Sequence, residues 1–462
     1  MEQLKHAKWQ EDIARRQRAL RNIDFYTNNH KPYIEKEIKR RNPSDVVDSG
    51  HETSAQFLCK YIEQDNLTEV IIDGKSVLFE EAATIAMNNG TKKQQEAFKD
   101  ISKCLDYILA QTEIEVNTNR DVAVIPFVTT VTGKKIVKLE IITADMAFVK
   151  QSDKDPTQAD EFYYEVGTKS NSPNVAEKIT LYNMWNSKGE KYRVEINSDG
   201  IEIERELIDN TINYGYMPVV MFRDYVPMQN FWKDAVNYTV EKNFQIDLLQ
   251  TGVNVSQSQN IPTLVLKNYE GSDVKKGWKF VIGTKSDGAG NEGDAKYISP
   301  NAPNEEDQKL IDMRKEQVAI SNKLSPAIIK GGEFTSGYHL FLSKQDLLKY
   351  TETLKKYYTE PIKQLCKVIC DTWVGLAKYN FPANPEFMID YAEIKYPESP
   401  KEKAEVRLLK TQEGTWSPVQ SLMEDNPELE EKEAIERIKK TAGWNKLMQP
   451  ANPFEEKEDA EG

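Results

Sequence analysis

Apolar positions recur with a helical period over residues 231–249 and again over 304–324, and between them the pattern changes to short strand-like runs. The first stretch puts Phe231, Trp232, Ala235, Val236, Val240, Phe244, Leu248 and Leu249 on one broad face, with Asn230 placed to cap a helix. Runs at 261–266, 278–282 and 295–298, joined by polar, turn-rich segments, predict three short strands and hence a small β module. The helical period returns with Leu310, Ile311, Met313, Val318 and Ile320, read as one face, and Glu305, Glu306 and Asp307 suit its first turn, where the macrodipole favours negative charge. Pro326 and the pair Gly331 and Gly332 cannot continue that helix, so 325–336 predicts a mobile loop. Ser336 then stands as an N-cap before Leu340, Leu347, Leu354, Tyr358, Ile362, Leu365, Ile369, Trp373 and Leu376. That pattern spans about forty residues, or roughly 60 Å of helix. Pro361 lies inside it, removes one backbone donor and crowds the carbonyl of Tyr357, which predicts a kink.

Upstream, residues 3–21 predict a charged, peripheral helix, and the polar run Asn28, Asn29, His30, Lys31, Pro32 ends it. Residues 54–64 and 78–87 read as short amphipathic helices around a strand at 68–72, and 92–111 as a longer helix with Phe98, Ile101, Leu105, Ile108 and Leu109 on one face. From Arg120 the period shortens. Strand-like runs at 122–128, 135–142, 162–166, 179–182, 192–196, 201–207 and 219–222, with glycine turns at Gly133, Gly189 and Gly200, predict a meandering antiparallel sheet. After the long helix, 379–400 is extended and proline-rich around a strand at 387–391. Helices are expected to begin at Ser399, at Ser417 with Pro418, and at Asn426 with Pro427, before an acidic, disordered end. The fold class is α+β.

At 462 residues the chain has room for about three domains, and 39% hydrophobic residues suffice for real cores. Its 61 basic against 74 acidic residues give a net charge of −13, which opposes a tight grip on nucleic acid, since that grip depends on Lys and Arg neutralising phosphate. A mean hydropathy of −0.65 marks a chain that is largely solvated or faces polar neighbours. Four cysteines are scattered; Cys366 and Cys370 share a helix face and read as core thiols, with no disulfide scaffold. The N-terminal residues lack the apolar centre of a signal peptide and no run approaches ~20 apolar residues, so synthesis and assembly in the cytoplasm, without a membrane, are expected.

A search for chemistry finds weak matches only. Residues 288–293 have the Gly-x-Gly-x-x-Gly spacing, but a further strand follows instead of the helix whose N-terminus would hold phosphate. Asp153, Asp155 and Asp160 lack the turn glycine and closing glutamate of a calcium loop and read as a solvated turn. No Walker A lysine pattern occurs, and no catalytic, cofactor or metal residue is assigned.

The order helix, β module, helix, loop, long helix resembles the core of the portal proteins of tailed bacteriophages. The resemblance is carried by residues 264–271 after the first helix, 294–299 before the second, Ser336 and Gly337 opening the long helix, and the hydrophobic strand at 216–223. It implies a wing (1–118 helical, 119–230 β-rich), a first stem helix (231–259), a clip (260–303) and a second stem helix (304–324). A tunnel loop (325–336), a long kinked helix (337–378), a helical crown (379–444) and an acidic tail (445–462) complete it. On that reading Lys330, Gly331, Gly332, Glu333 and Phe334 face the DNA channel, Phe231, Trp232, Phe244 and Leu248 bury against adjacent subunits, and Pro361 kinks the long helix.

The implied partners are further copies in a ring of about twelve, the large terminase subunit, a head-to-tail adaptor, the major capsid and scaffold proteins, and double-stranded DNA passing without sequence readout. The implied location is the portal vertex of the virion, after assembly in the host cytoplasm. Two rival readings stay open: an acidic α+β enzyme with a pocket in the 120–230 sheet, and a head-completion or adaptor protein.

Overall fold

The computed structural model describes residues 2–42, 54–131, 134–170, 178–208, 212–259, 263–267, 281–283, 294–298, 305–326, 329, 337–392, 417–425 and 431–448. Two compact units emerge, Met1–Phe334 with Phe341–Ile394, and Thr335–Leu340 with Lys395–Gly462.

The first unit opens with α1 (Glu2–Tyr26), α2 (Lys31–Arg41), α3 (Ser54–Cys59) and α4 (Leu67–Lys75). Strand β1 (Thr84–Met87) precedes α5 (Lys92–Ile101), which begins at a reciprocal capping box between Thr91 and Gln94. A 3-10 turn at Ser102–Cys104 separates α5 from α6 (Leu105–Asn119), where the sequence pattern suggests one helix. Arg120, left-handed at φ 71°, ends α6 and turns the chain directly into β2 (Asp121–Val131).

Strand β2 is the middle of a three-stranded antiparallel sheet, between β3 (Lys134–Thr143) and β9 (Val220–Arg223). Its Val122, Ala123, Val124 and Ile125 are all buried, so both of its faces are covered. Val122 and Val124 pack with Leu109 and Val116 of α6 and with Leu354, Tyr358 and Ile362 of a long helix, α9 (Gly337–Gly375). Ala123 and Ile125 pack on Phe162, Tyr164 and Trp185 from a second sheet. That second sheet holds β4 (Ala147–Gln151), β5 (Ala159–Ser170), β6 (Lys178–Asn186), β7 (Lys191–Ile196) and β8 (Glu202–Leu207), each antiparallel to the next. The expected single meander is therefore two sheets, and β4 joins them without having been predicted.

Past β9 come α7 (Tyr238–Gln259), the strands β10 (Thr263–Lys267), β11 (Val281–Gly283) and β12 (Asp294–Ile298), and α8 (Glu305–Ser321). Within the small sheet β10 is central, antiparallel to β12 and parallel to β11. Helix α9 runs 39 residues and contains Pro361; its thiols Cys366 and Cys370 are buried in the core against α6, as their spacing predicts. β13 (Phe387–Asp390) then returns to pair antiparallel with β1. In the second unit α10 (Pro418–Asp425) packs with α11 (Glu431–Met448), and Ser417 caps α10 by accepting from the Gln420 amide at 3.2 Å.

Three local expectations are corrected. Residues 68–72 belong to α4, because Thr68, Ile71 and Ile72 are spaced three and four apart and all three are buried on one helix face. Residues 78–87 do not form a helix: the amides of Leu78 and Phe79 donate to the Glu113 carboxylate at 3.0 and 3.1 Å, and the chain continues into β1. The first long helix starts at Tyr238, capped by Asn237, whose Oδ1 accepts from the Thr239 amide at 3.0 Å. Phe231 and Trp232 lie before it. The helix expected from Ser399 and the glycine-rich run 288–293 fall outside the described residues.

Candidate assembly surface

Helix α7 is fixed by polar groups that its neighbours bury. His30, in the turn between α1 and α2, stacks on Phe25 with ring centroids 4.0 Å apart and shares a 2.9 Å hydrogen bond with Asp247, both side chains fully buried. Asp247 also accepts from the Asp65 amide at 3.0 Å and from Asn243 Nδ2 at 2.8 Å. Asn243 Oδ1 accepts from both the amide and the hydroxyl of Thr68, at 2.8 and 2.9 Å. Burial pushes the Asp247 carboxyl above its ordinary range, opposed by its bond to His30. These bonds set the rotation of α7, because a turn of the helix would strand several buried donors and acceptors.

The segment leading into α7 is held in the same way. Asp121 accepts from Arg223 Nε at 2.8 Å, from the Tyr225 hydroxyl at 2.7 Å and from the Lys233 amide at 3.3 Å. Burial raises its carboxyl and Arg223 opposes the shift. The Arg223 guanidinium lies 4.5 Å from the Phe231 ring centre, and Arg15 lies 4.3 Å from that of Trp232.

With α7 so oriented, α8 lies along it: Ile246 and Val253 of α7 meet Ile311, Val318 and Ala319 of α8, and Lys315 pairs with Asp65. Met313 and Ile320 point the other way, 48% and 58% exposed. Their spacing of seven residues matches that of Ile311 and Val318, about 180° away around the helix. The helix is thus apolar on two opposite faces, and among the described residues only one of them is covered. On α7 Tyr238, Gln245, Gly252 and Ser256 share an exposed stripe, on which the Lys242 ammonium lies 5.3 Å from the Tyr238 ring centre and donates to Gln245 Oε1 at 3.2 Å, and a Cβ at Gly252 would meet nothing within 4 Å.

The residues expected at subunit contacts are occupied within the chain. Phe231 is buried in its own subunit and Trp232 packs beside Phe162 and Trp185. Phe244 and Leu248, half-buried, pack against Ile34, Ile38 and Ala55 of α2 and α3. The sequence reading placed Ile311 and Met313 on one face; the signal it missed is that the apolar positions of α8 form two seven-residue rows. Lys330, Gly331, Gly332, Glu333 and Phe334 lie outside the described residues, and Pro361 sits inside α9. Asp155 spends its carboxylate on the amide and hydroxyl of Thr157, at 3.0 and 2.6 Å, as a turn residue does. Among the described residues no helix is long and apolar enough to cross a membrane.

Paired helices that flank a small sheet, one of them with an apolar row left exposed among the described residues, suit an assembly subunit that completes its packing against other molecules. The chain belongs to the family described as phage portal protein, SPP1 Gp6-like, whose model matches residues 5–443 of the 462. No curated protein matches it at a significant level. It is therefore a portal protein, a component of the bacteriophage capsid that serves DNA packaging, in a family that is structural rather than enzymatic and that forms an oligomeric ring.

Proposed function

We propose that about twelve copies of this chain close a ring at one capsid vertex, and that double-stranded DNA enters and leaves through its centre. The observation that carries this reading is the second apolar row of α8, Met313 and Ile320, exposed opposite the row that packs on α7. A cyclic ring needs two different complementary faces on each subunit, and the exposed surface of α7 around Gly252 supplies a shallow partner for the α8 row of the next copy. In this arrangement α7 and α8 are the stem, β10 to β12 the clip, the residues before α7 the wing, and the segment after the long helix the crown. Residues 325–336 form the tunnel loop, with Lys330, Gly331, Gly332, Glu333 and Phe334 toward the channel, and α9 bends at Pro361.

The large terminase subunit engages the clip during packaging and a head-to-tail adaptor replaces it; scaffold and major capsid protein surround the wing. The net charge of −13 fits a channel wall that repels phosphate and lets DNA slide. Sedimentation of the paired substitution Met313→Glu with Ile320→Glu tests the contact. Both side chains are exposed in the single chain, so the variant is expected to fold normally and to lose the ring, whereas rings of unchanged mass would remove α8 from the interface.

A further inference from the structure

A cleft of about 370 Å³ opens between the 3-10 turn at Ser102–Cys104, the face of β3 and the end of α9. Its floor is aliphatic, from Val137, Leu139 and Ile369. One wall is aromatic: Trp373 and Tyr379 meet edge to face, with centroids 5.4 Å apart, and Tyr379 is 39% exposed beside the exposed Val374. On the opposite lip Lys103 and Asp100 form a 2.9 Å ion pair and so cancel each other's charge. Lys378 differs. Its ammonium lies 5.0 Å from the centre of the Trp373 ring and donates to the backbone carbonyl of Lys135, and no carboxylate pairs with it among the described residues.

The cleft is at the small end of the usual range of about 300–1,000 Å³ for binding pockets, so it suits one bulky side chain and not an extended ligand. Aromatic walls around an apolar floor are the setting in which a single anchor residue contributes most of the affinity of an interface. Lys378, held against Trp373 and without a carboxylate partner among the described residues, in a chain of net charge −13, selects the sign of what lies beside that anchor. We propose that this cleft docks an acidic segment of a partner protein: one large apolar side chain of the segment enters between the Trp373–Tyr379 pair and the 3-10 turn at Ser102–Cys104, and a neighbouring carboxylate meets Lys378. The inference is independent of the ring contact and uses no residue of α7 or α8.

Cys104 lines the cleft and is exposed, which provides a direct test. The full-length protein is equilibrated, in excess free thiol, with disulfide probes carrying a phenyl carboxylate, a phenyl amine or a plain ether alcohol, and capture at Cys104 is quantified by peptide mapping. Cys104→Ser identifies capture at the half-buried Cys59 as background. The phenyl carboxylate is expected to be captured about tenfold over the ether and about threefold over the amine. Trp373→Ala removes the first preference, and Lys378→Glu, at an exposed position that leaves the fold intact, reverses the second. Equal capture of all three probes, or a carboxylate preference that survives Lys378→Glu, overturns the proposal; equal capture of the two phenyl probes reduces the cleft to an apolar site with no selection for acidic partners and overturns it equally.

Discussion

Glu113 is almost fully buried in α6, and its carboxylate accepts from the Leu78 and Phe79 amides, yet burial outweighs those bonds and pushes its pKa up to about 7. The sign follows. The folded chain holds this proton more tightly than the unfolded chain, so the contribution to stability is full below the ordinary carboxylate range and is lost as pH rises through about 7. The loss is on the order of 3 kcal/mol. Urea midpoints measured from pH 4.5 to pH 8 should fall accordingly, by about 1–3 M at an m-value of about 1–3 kcal/mol per M, and Glu113→Gln should flatten that slope while costing about 1 kcal/mol at low pH through one weakened amide contact. A slope unchanged in the variant would place the titration elsewhere. Asp247 gives a second test at this scale. Asp247→Ala strands His30, Asn243 and the Asp65 amide, and a loss of about 3–5 kcal/mol in denaturant stability is expected. A loss under about 1 kcal/mol would mean that water takes over the lost bonds.

At the scale of elements, the start of α7 is set by Asn237, which caps Thr239 and also donates to the carbonyl of Thr118 at 3.0 Å. Asn237→Ala should cost about 1–2 kcal/mol, whereas Asn230→Ala, outside the helix, should be neutral; the reverse order in thermal denaturation would restore the longer helix. Much of the element order was legible in the sequence because long periodic runs leave little choice: two helices around a small β module, the 39-residue α9 and the strands from β2 to β9 other than β4 follow the order of their patterns. What escaped were decisions made by partners distant in sequence. Residues 68–72 satisfy a strand and a helix equally, and the contact of Thr68 with Asn243, 175 residues away, belongs to the helix. Phe231 and Trp232 extend the period of α7, but arginines from β9 and α1 hold them in the packing before the helix. The acceptor that stops residues 78 and 79 from being helical sits on α6. Burial side on α8 was equally hidden, since Met313 and Ile311 look alike until α7 covers one of them.

For the whole molecule, the same helix carries the argument from packing to assembly. Among the described residues α8 covers Ile311 and Val318 and leaves Met313 and Ile320 exposed, the row that our proposal buries between copies. The family match establishes what the chain is, and the two-faced helix carries our proposal for how copies meet. The most direct measurement is electron microscopy of the purified full-length chain, with its mass taken in parallel by light scattering. Closed rings of about twelve copies around a central opening are the predicted result. A single population of compact monomers that persists as the concentration is raised would contradict the account.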